Sequence, residues 1–147
     1  MAHGETNAVE TAVEILSDLL SQLENVYEYR KEKYAEHRIA VMTNLSKYYG
    51  ISGKYKESIK LCDRTIALMK KADSGSPYKL ATLIFNKGCC YAELIESSVT
   101  KEKKAKDRSM AKKLLTTSYL MFEEFDYSDT MTLVKNYAKD KLGLDLE

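Results

Sequence analysis

Apolar side chains recur along this chain in steps of four and three, and a single proline interrupts 147 residues. That spacing lays one apolar stripe along a helix, and no useful stretch alternates with the period of two that a strand requires. The first stripe is Val9, Val13, Leu16, Leu20, Leu23 and Tyr27, widened by Ala12, Leu19 and Val26 so that a broad face should be buried. A second contains Val41, Leu45 and Tyr48 beside Met42 and Tyr49, and ends at Gly50-Ile51-Ser52-Gly53. Tyr55, Ile59, Cys62, Ile66 and Met69 form a third, which stops before Asp73-Ser74-Gly75-Ser76-Pro77. There Ser76 suits an N-cap and Pro77 the first helical position of a fourth helix. That helix has Leu80, Ile84, Tyr91 and Ile95 on one face, with Ala81 and Gly88 small enough for a neighbour to approach closely.

A fifth stripe has Ala111, Leu114, Ser118, Phe122 and Phe125; a sixth has Met131, Val134, Ala138 and Leu142, followed by Gly143 where a left-handed C-cap belongs. Two boundaries stay open. Arg30-Lys31-Glu32-Lys33 is either the turn between the first two helices or continuous helix. Residues 97–108 lose the apolar pattern and are expected to be a solvated insertion or a frayed helix start.

The expected fold is therefore all-α, six helices in one domain over residues 7–145, with residues 1–6 set aside as a tag or disordered start. A two-helix unit cannot bury its apolar face alone, so hairpins stack and the end helices cap the stack. Lys and Arg number 23 against 22 Asp and Glu. A DNA binder that neutralises about 6–10 phosphates shows a basic surplus in the domain responsible, so nucleic-acid contact is not expected from this segment. The start Met1-Ala2-His3-Gly4 has neither the cationic nor the apolar region of a signal peptide. No uncharged apolar run approaches the roughly 18 residues of a membrane span. Cys62, Cys89 and Cys90 form no C-x-x-C pair, and an odd number of thiols on apolar helices suits a reduced, cytoplasmic protein.

Two stretches can be superposed: Asn44-Leu45-Ser46-Lys47-Tyr48-Tyr49 and Asn86-Lys87-Gly88-Cys89-Cys90-Tyr91. Each falls in the first helix of a hairpin. The pattern resembles the tetratricopeptide repeat, a helix-turn-helix unit of roughly 34 residues. Met42, Leu45, Ser46 and Tyr49 match its first helix, Gly53-Lys54-Tyr55 its turn, and Ser58, Cys62 and Thr65 its second helix. The second unit offers Ile84, Gly88 and Tyr91, then Ala111, Leu115 and Ser118. Tyr49 to Ser58 spans 9 positions and Tyr91 to Ala111 spans 20, the excess of 11 falling on 97–108. Lys87 replaces the usual leucine, and Lys70 and Glu123 stand where the repeat ends in proline.

The run Ala111-Lys112-Lys113-Leu114-Leu115, with Tyr119-Leu120-Met121-Phe122 and Val134 to Gly143, also resembles the C-terminal part of Firmicute transcriptional regulators. Those proteins follow an N-terminal Cro/repressor-type helix-turn-helix with tetratricopeptide-like repeats. The resemblance implies a solenoid that dimerises the protein and, in some members, binds a short signalling peptide in its concave groove. It further implies that this chain is the regulatory part of a longer protein, or a relative without the DNA-reading pair.

Under that architecture the leading helix of each hairpin lines the groove, which selects Asn44, Lys47, Asn86 and Cys89 as ligand-binding candidates, with Asn136 a third asparagine in the last helix. Asparagine both donates and accepts, so it can hold an extended peptide backbone without reading its sequence. The plainer account is that Asn44 and Asn86 bond to a neighbouring helix and fix packing. Tyr27, Tyr48, Tyr49, Tyr55 and Tyr91 lie on or beside apolar stripes, as core residues with the hydroxyl at the rim or as groove anchors. The basic run Lys101, Lys103, Lys104, Lys106 and Arg108 is broken by Glu102 and Asp107, as in a solvated face. His3 and His37 have no zinc-type spacing, and no acid sits in a catalytic setting, so neither metal, cofactor nor enzyme is expected. Adjacent Cys89 and Cys90 suit small buried hydrophobes better than an oxidant sensor. The expected function is ligand sensing and homodimerisation within a transcriptional regulator, binding a peptide or protein partner. A stand-alone adaptor is the alternative.

Overall fold

The computed structural model describes the backbone of residues 3–27 and 33–146, with side chains for 7–25 and 33–146. Six helices follow one another: α1 (His3–Tyr27), α2 (Ala35–Ile51), α3 (Tyr55–Ala72), α4 (Pro77–Ser97), α5 (Lys101–Glu124) and α6 (Ser128–Leu142). No strand occurs among the described residues, and no helix among them is long and apolar enough to cross a membrane. The turn expected at 30–33 lies outside the described residues except for Lys33, as do the side chains of Val26 and Tyr27. α1 begins at His3, inside the stretch set aside as a tag or disordered start. The chain forms two compact units, Met1–Gly75 and Ser76–Glu147, each of three helices.

In the first unit α2 is the central helix, packed by α1 and by α3. Two neighbours explain its burial on more than one side, from Thr43 through Ile39, Ser46 and Met42 round to Leu45 and Val41. The α2–α3 crossing is close because small residues meet there. The Ser58 hydroxyl donates to the Ser46 carbonyl at 2.7 Å, and both serines are fully buried. Such a bond keeps a buried hydroxyl satisfied while letting two backbones approach. Glu36 on α2 accepts from the Ser74 hydroxyl and, at 2.9 Å, from the Gly75 N–H, which ties the segment after α3 back to α2. The broad face expected of α1 is only partly covered. Leu20 is buried, but Ile15 is 60% and Leu19 40% exposed, because α2 is the main neighbour of α1.

In the second unit α5 is central, between α4 and α6. Ala81 and Ala92 of α4, Ala111, Leu115, Tyr119 and Phe122 of α5, and Val134, Ala138 and Leu142 of α6 form its core. Gly88 marks a close approach of α4 and α5: a Cβ there would lie 3.1 Å from Leu115 Cδ2 and 3.2 Å from Leu114 Cβ. Ser76 accepts from the Lys79 N–H at 3.2 Å ahead of Pro77, and Gly143 closes α6 at φ 64. Both ends therefore obey the capping chemistry that their residue types favour.

Of the two readings for residues 97–108, the helix start is the one observed, as regular helix exposed to solvent rather than an insertion. Ser97 still belongs to α4, and from Lys101 onward the stretch is the first two turns of α5. Thr100 caps this start by accepting from the Lys103 N–H at 3.1 Å, and Glu102 occupies the positive first turn. Lysine, alanine and arginine are good helix formers, and those turns have no apolar stripe because Lys101–Lys106 face solvent. Asp107 is the exception, only 1% exposed, held by the Ser98 hydroxyl at 2.8 Å and Lys103 Nζ at 2.6 Å.

Leu115→Ala empties the site that Gly88 leaves for it, and should lower unfolding stability by about 2–5 kcal/mol. Ser76→Ala removes one cap bond and should cost about 1 kcal/mol. Urea titration followed by helical circular dichroism measures both, and a smaller loss in Leu115→Ala than in Ser76→Ala contradicts the packing described.

Candidate functional site

Polar groups gather where α6 lies beside α4 in the second unit. On a helix, positions 86, 89 and 93 share one face by their three- and four-residue steps. The Tyr137 hydroxyl reaches that face from α6, 3.0 Å from Glu93 Oε1 and 3.2 Å from the Cys89 carbonyl, and donates toward both. Its ring meets Phe85 edge to face at 5.9 Å, which fixes the direction in which the hydroxyl points. One turn further along α6, Lys141 Nζ lies 3.1 Å from the same Glu93 oxygen and 3.8 Å from Glu96 Oε1. Glu93 is thus held by a phenol and an ammonium at once.

The electrostatics hold two of these groups in their neutral forms. Burial pushes the Cys89 thiol far above the ordinary cysteine value, and the neighbouring Cys90 and Glu93 push the same way, outweighing the Tyr137 hydrogen bond that favours the thiolate. Burial likewise raises Tyr137, and the Cys89 and Glu93 charges add to the effect, as does its donation to Glu93. A thiol kept protonated is a poor nucleophile and a poor metal ligand. The arrangement suits hydrogen bonding rather than bond making. Comparison with protein-family models, with curated proteins and with solved structures finds no match in any of the three.

Asn86 lies one turn before Cys89. It is half-buried, and its Nδ2 is enclosed without a hydrogen-bond partner among the described residues. The packing bond considered for this asparagine is therefore not made by its amide N–H groups. A buried donor left unmade costs about 1–3 kcal/mol, so the position is held against a stability penalty.

The other expected residues are placed differently. Asn136 is exposed, and its neighbour Tyr137 is the residue that reaches α4. In the first unit Asn44 and Lys47 are both exposed on α2, with Lys47 Nζ 5.8 Å from the Tyr48 ring centre. The two superposable asparagines thus have unlike surroundings, one in solvent and one enclosed. Glu93, Tyr137 and Lys141 were not singled out from the sequence. Their signal is faint: Glu93 is the one charge within Cys89–Ile95, and Tyr137 and Lys141 are four apart.

Because the unfolded Cys89 thiol ionises near pH 9 while the folded one does not, the folded chain holds an extra proton above that pH. The stabilisation is complete below about pH 9 and is lost as pH rises, by about 1.4 kcal/mol per pH unit. Cys89→Ala should flatten the fall of urea-unfolding stability between pH 9 and 11. Parallel curves for the two proteins would mean that the thiol is not held neutral.

Proposed function

We propose that this chain is a tetratricopeptide-like binding and dimerisation domain whose hairpins stack as a solenoid. It serves as the ligand-sensing part of a cytoplasmic transcriptional regulator and holds a peptide or protein partner by its backbone. The observation that carries the reading is the enclosed Asn86 amide without an acceptor, on the same helix face as Cys89 and Glu93. A carbonyl is the acceptor that the amide lacks, one that a peptide supplies once the Asn86 side chain turns out of its enclosure, and a peptide N–H can bond to a carboxylate such as Glu93. Recognition of this kind needs no acid, base or nucleophile, which agrees with a thiol and a phenol both kept protonated.

The homodimer part of the reading is supported by α1, which leaves Ile15 and Leu19 one turn apart in solvent. A second reading, an adaptor that grips a partner protein's helix, is favoured by exposed Leu120 on α5 and Leu133 on α6. An open reading frame that encodes a helix-turn-helix ahead of Met1 supports the regulator, and a native start codon there supports the adaptor.

Replacing Asn86 by leucine removes the unsatisfied donor and keeps the branching of the side chain, though with bulkier ends. Asn86→Leu should therefore raise urea-unfolding stability by about 1–2 kcal/mol. Native mass spectrometry of protein purified from its own cell extract should show a peptide adduct on the unaltered chain and none on the variant. A destabilised variant, or an adduct unchanged by it, would sink the asparagine's role. Sedimentation velocity should show dimers whose fraction grows with concentration, and Ile15→Glu with Leu19→Glu should return the protein to monomer.

A further inference from the structure

Two helix faces left in solvent complement each other along their length. On α1, Ile15 and Leu19 are exposed and four apart, which makes a short apolar ridge. Exposed Glu10, Glu14 and Asp18 run beside it, and no Lys or Arg occurs between His3 and Tyr27. Lys54 shares a cleft with Glu10 and Glu14, but its ammonium lies 5.9 Å from the Tyr49 ring centre and makes no ion pair with either acid among the described residues. Near the C-terminal end of α1 the sign changes. There Glu24 holds Arg38 at 3.4 Å and the exposed Arg64 at 2.9 Å.

On α5 the exposed Ser109, Lys113, Leu120 and Glu124 fall on one stripe, opposite the buried Ala111, Leu115, Ser118 and Phe122. Lys112 is exposed beside Lys113, and Glu123 beside Glu124. The stripe therefore runs from basic, through an exposed leucine, to acidic. Glu123 and Glu124 stand in the last turn, where the helix dipole disfavours carboxylates, so helix stability does not account for them.

The order along α1 is the opposite: acidic, apolar, then basic. Both helices rise by about 1.5 Å per residue, so equal spacings along them stay in register. Laid parallel with Leu120 between Ile15 and Leu19, Lys113 comes level with Glu10, and Glu123 and Glu124 come toward Arg64. Laid antiparallel, Glu123 meets Glu14, and Lys112 and Lys113 meet the arginine end. Charge thus favours one direction of pairing.

We propose that α1 of one copy of this chain docks in parallel on α5 of a second copy. Ile15 and Leu19 sit astride Leu120, Glu10 and Glu14 meet Lys113, and Glu123 and Glu124 approach Arg64. The inference rests on the self-association through α1 proposed above and names the surface that α1 meets.

The test is sedimentation equilibrium of the full chain over a concentration series up to about 1 mM. Raising the salt from about 0.05 M to about 0.5 M should weaken association at least about threefold. Leu120→Ala, which leaves the charge unchanged, should also weaken it at least about threefold. The pair Glu10→Lys, Glu14→Lys and the pair Lys112→Glu, Lys113→Glu, each with its fold checked by circular dichroism, should weaken it at least about tenfold. An equimolar mixture of the two reversed proteins should associate again, since each then offers the other a complementary face. The proposal is overturned if Leu120→Ala or the Lys112 and Lys113 variant associates as the unaltered chain does, or if the mixture stays apart. Should Ile15→Glu with Leu19→Glu still dissociate the chain in that case, α1 meets another surface, its own copy included, and the self-association reading stands. A chain that remains monomeric up to about 1 mM overturns both.

Discussion

Close approach of paired helices at small residues is the constraint on which each unit rests. In the second unit Gly88 lets α4 settle on Leu114 and Leu115, and Ala81, Ala92 and Ala111 keep the rest of that seam thin. In the first unit buried Ser46 and Ser58 do the same for α2 and α3, with one hydrogen bond across the seam. A thin seam brings the flanking side chains of two helices within reach of each other. That is why a third helix can pack beside each pair and still place polar groups against it.

The polar face of α4 follows from that geometry. α6 packs on α5 and, being close to α4, brings Tyr137 and Lys141 onto Glu93. Burial then sets the chemistry: the carboxylate of Glu93 is matched by an ammonium and a phenol, while the Cys89 thiol and the Tyr137 hydroxyl keep their protons. The Asn86 Nδ2 is left without a partner among the described residues. A buried donor without an acceptor is a local inconsistency whose cost the surrounding packing must offset.

The helices themselves were legible from residue spacing. The Ser76-Pro77 start and the Gly143 stop stand where their backbone chemistry places them, since capping is decided by a few neighbouring residues. The first turns of α5 were legible only as one of two readings, because an exposed helix has no stripe, and its support comes from Thr100, Ser98 and Asp107 rather than from periodicity. At the site, Asn86 and Cys89 could be named because they lie on one helix and recur in a repeat-like pattern. Glu93, Tyr137 and Lys141 could not, because their meeting depends on how α6 lies against α4, and spacing within one helix says nothing of that. The difference between Asn44 and Asn86 is of the same kind: equal places in two hairpins have different surroundings once packed, one exposed and one with its Nδ2 enclosed.

Burial of the Cys89 sulfur has one further consequence. Peroxide and disulfide reagents attack thiolates, and this sulfur stays protonated across the whole range of cellular pH. Cys89 is therefore chemically quiet toward such reagents. The Cys89 position on α4 thus keeps the same composition in oxidising and in reducing surroundings.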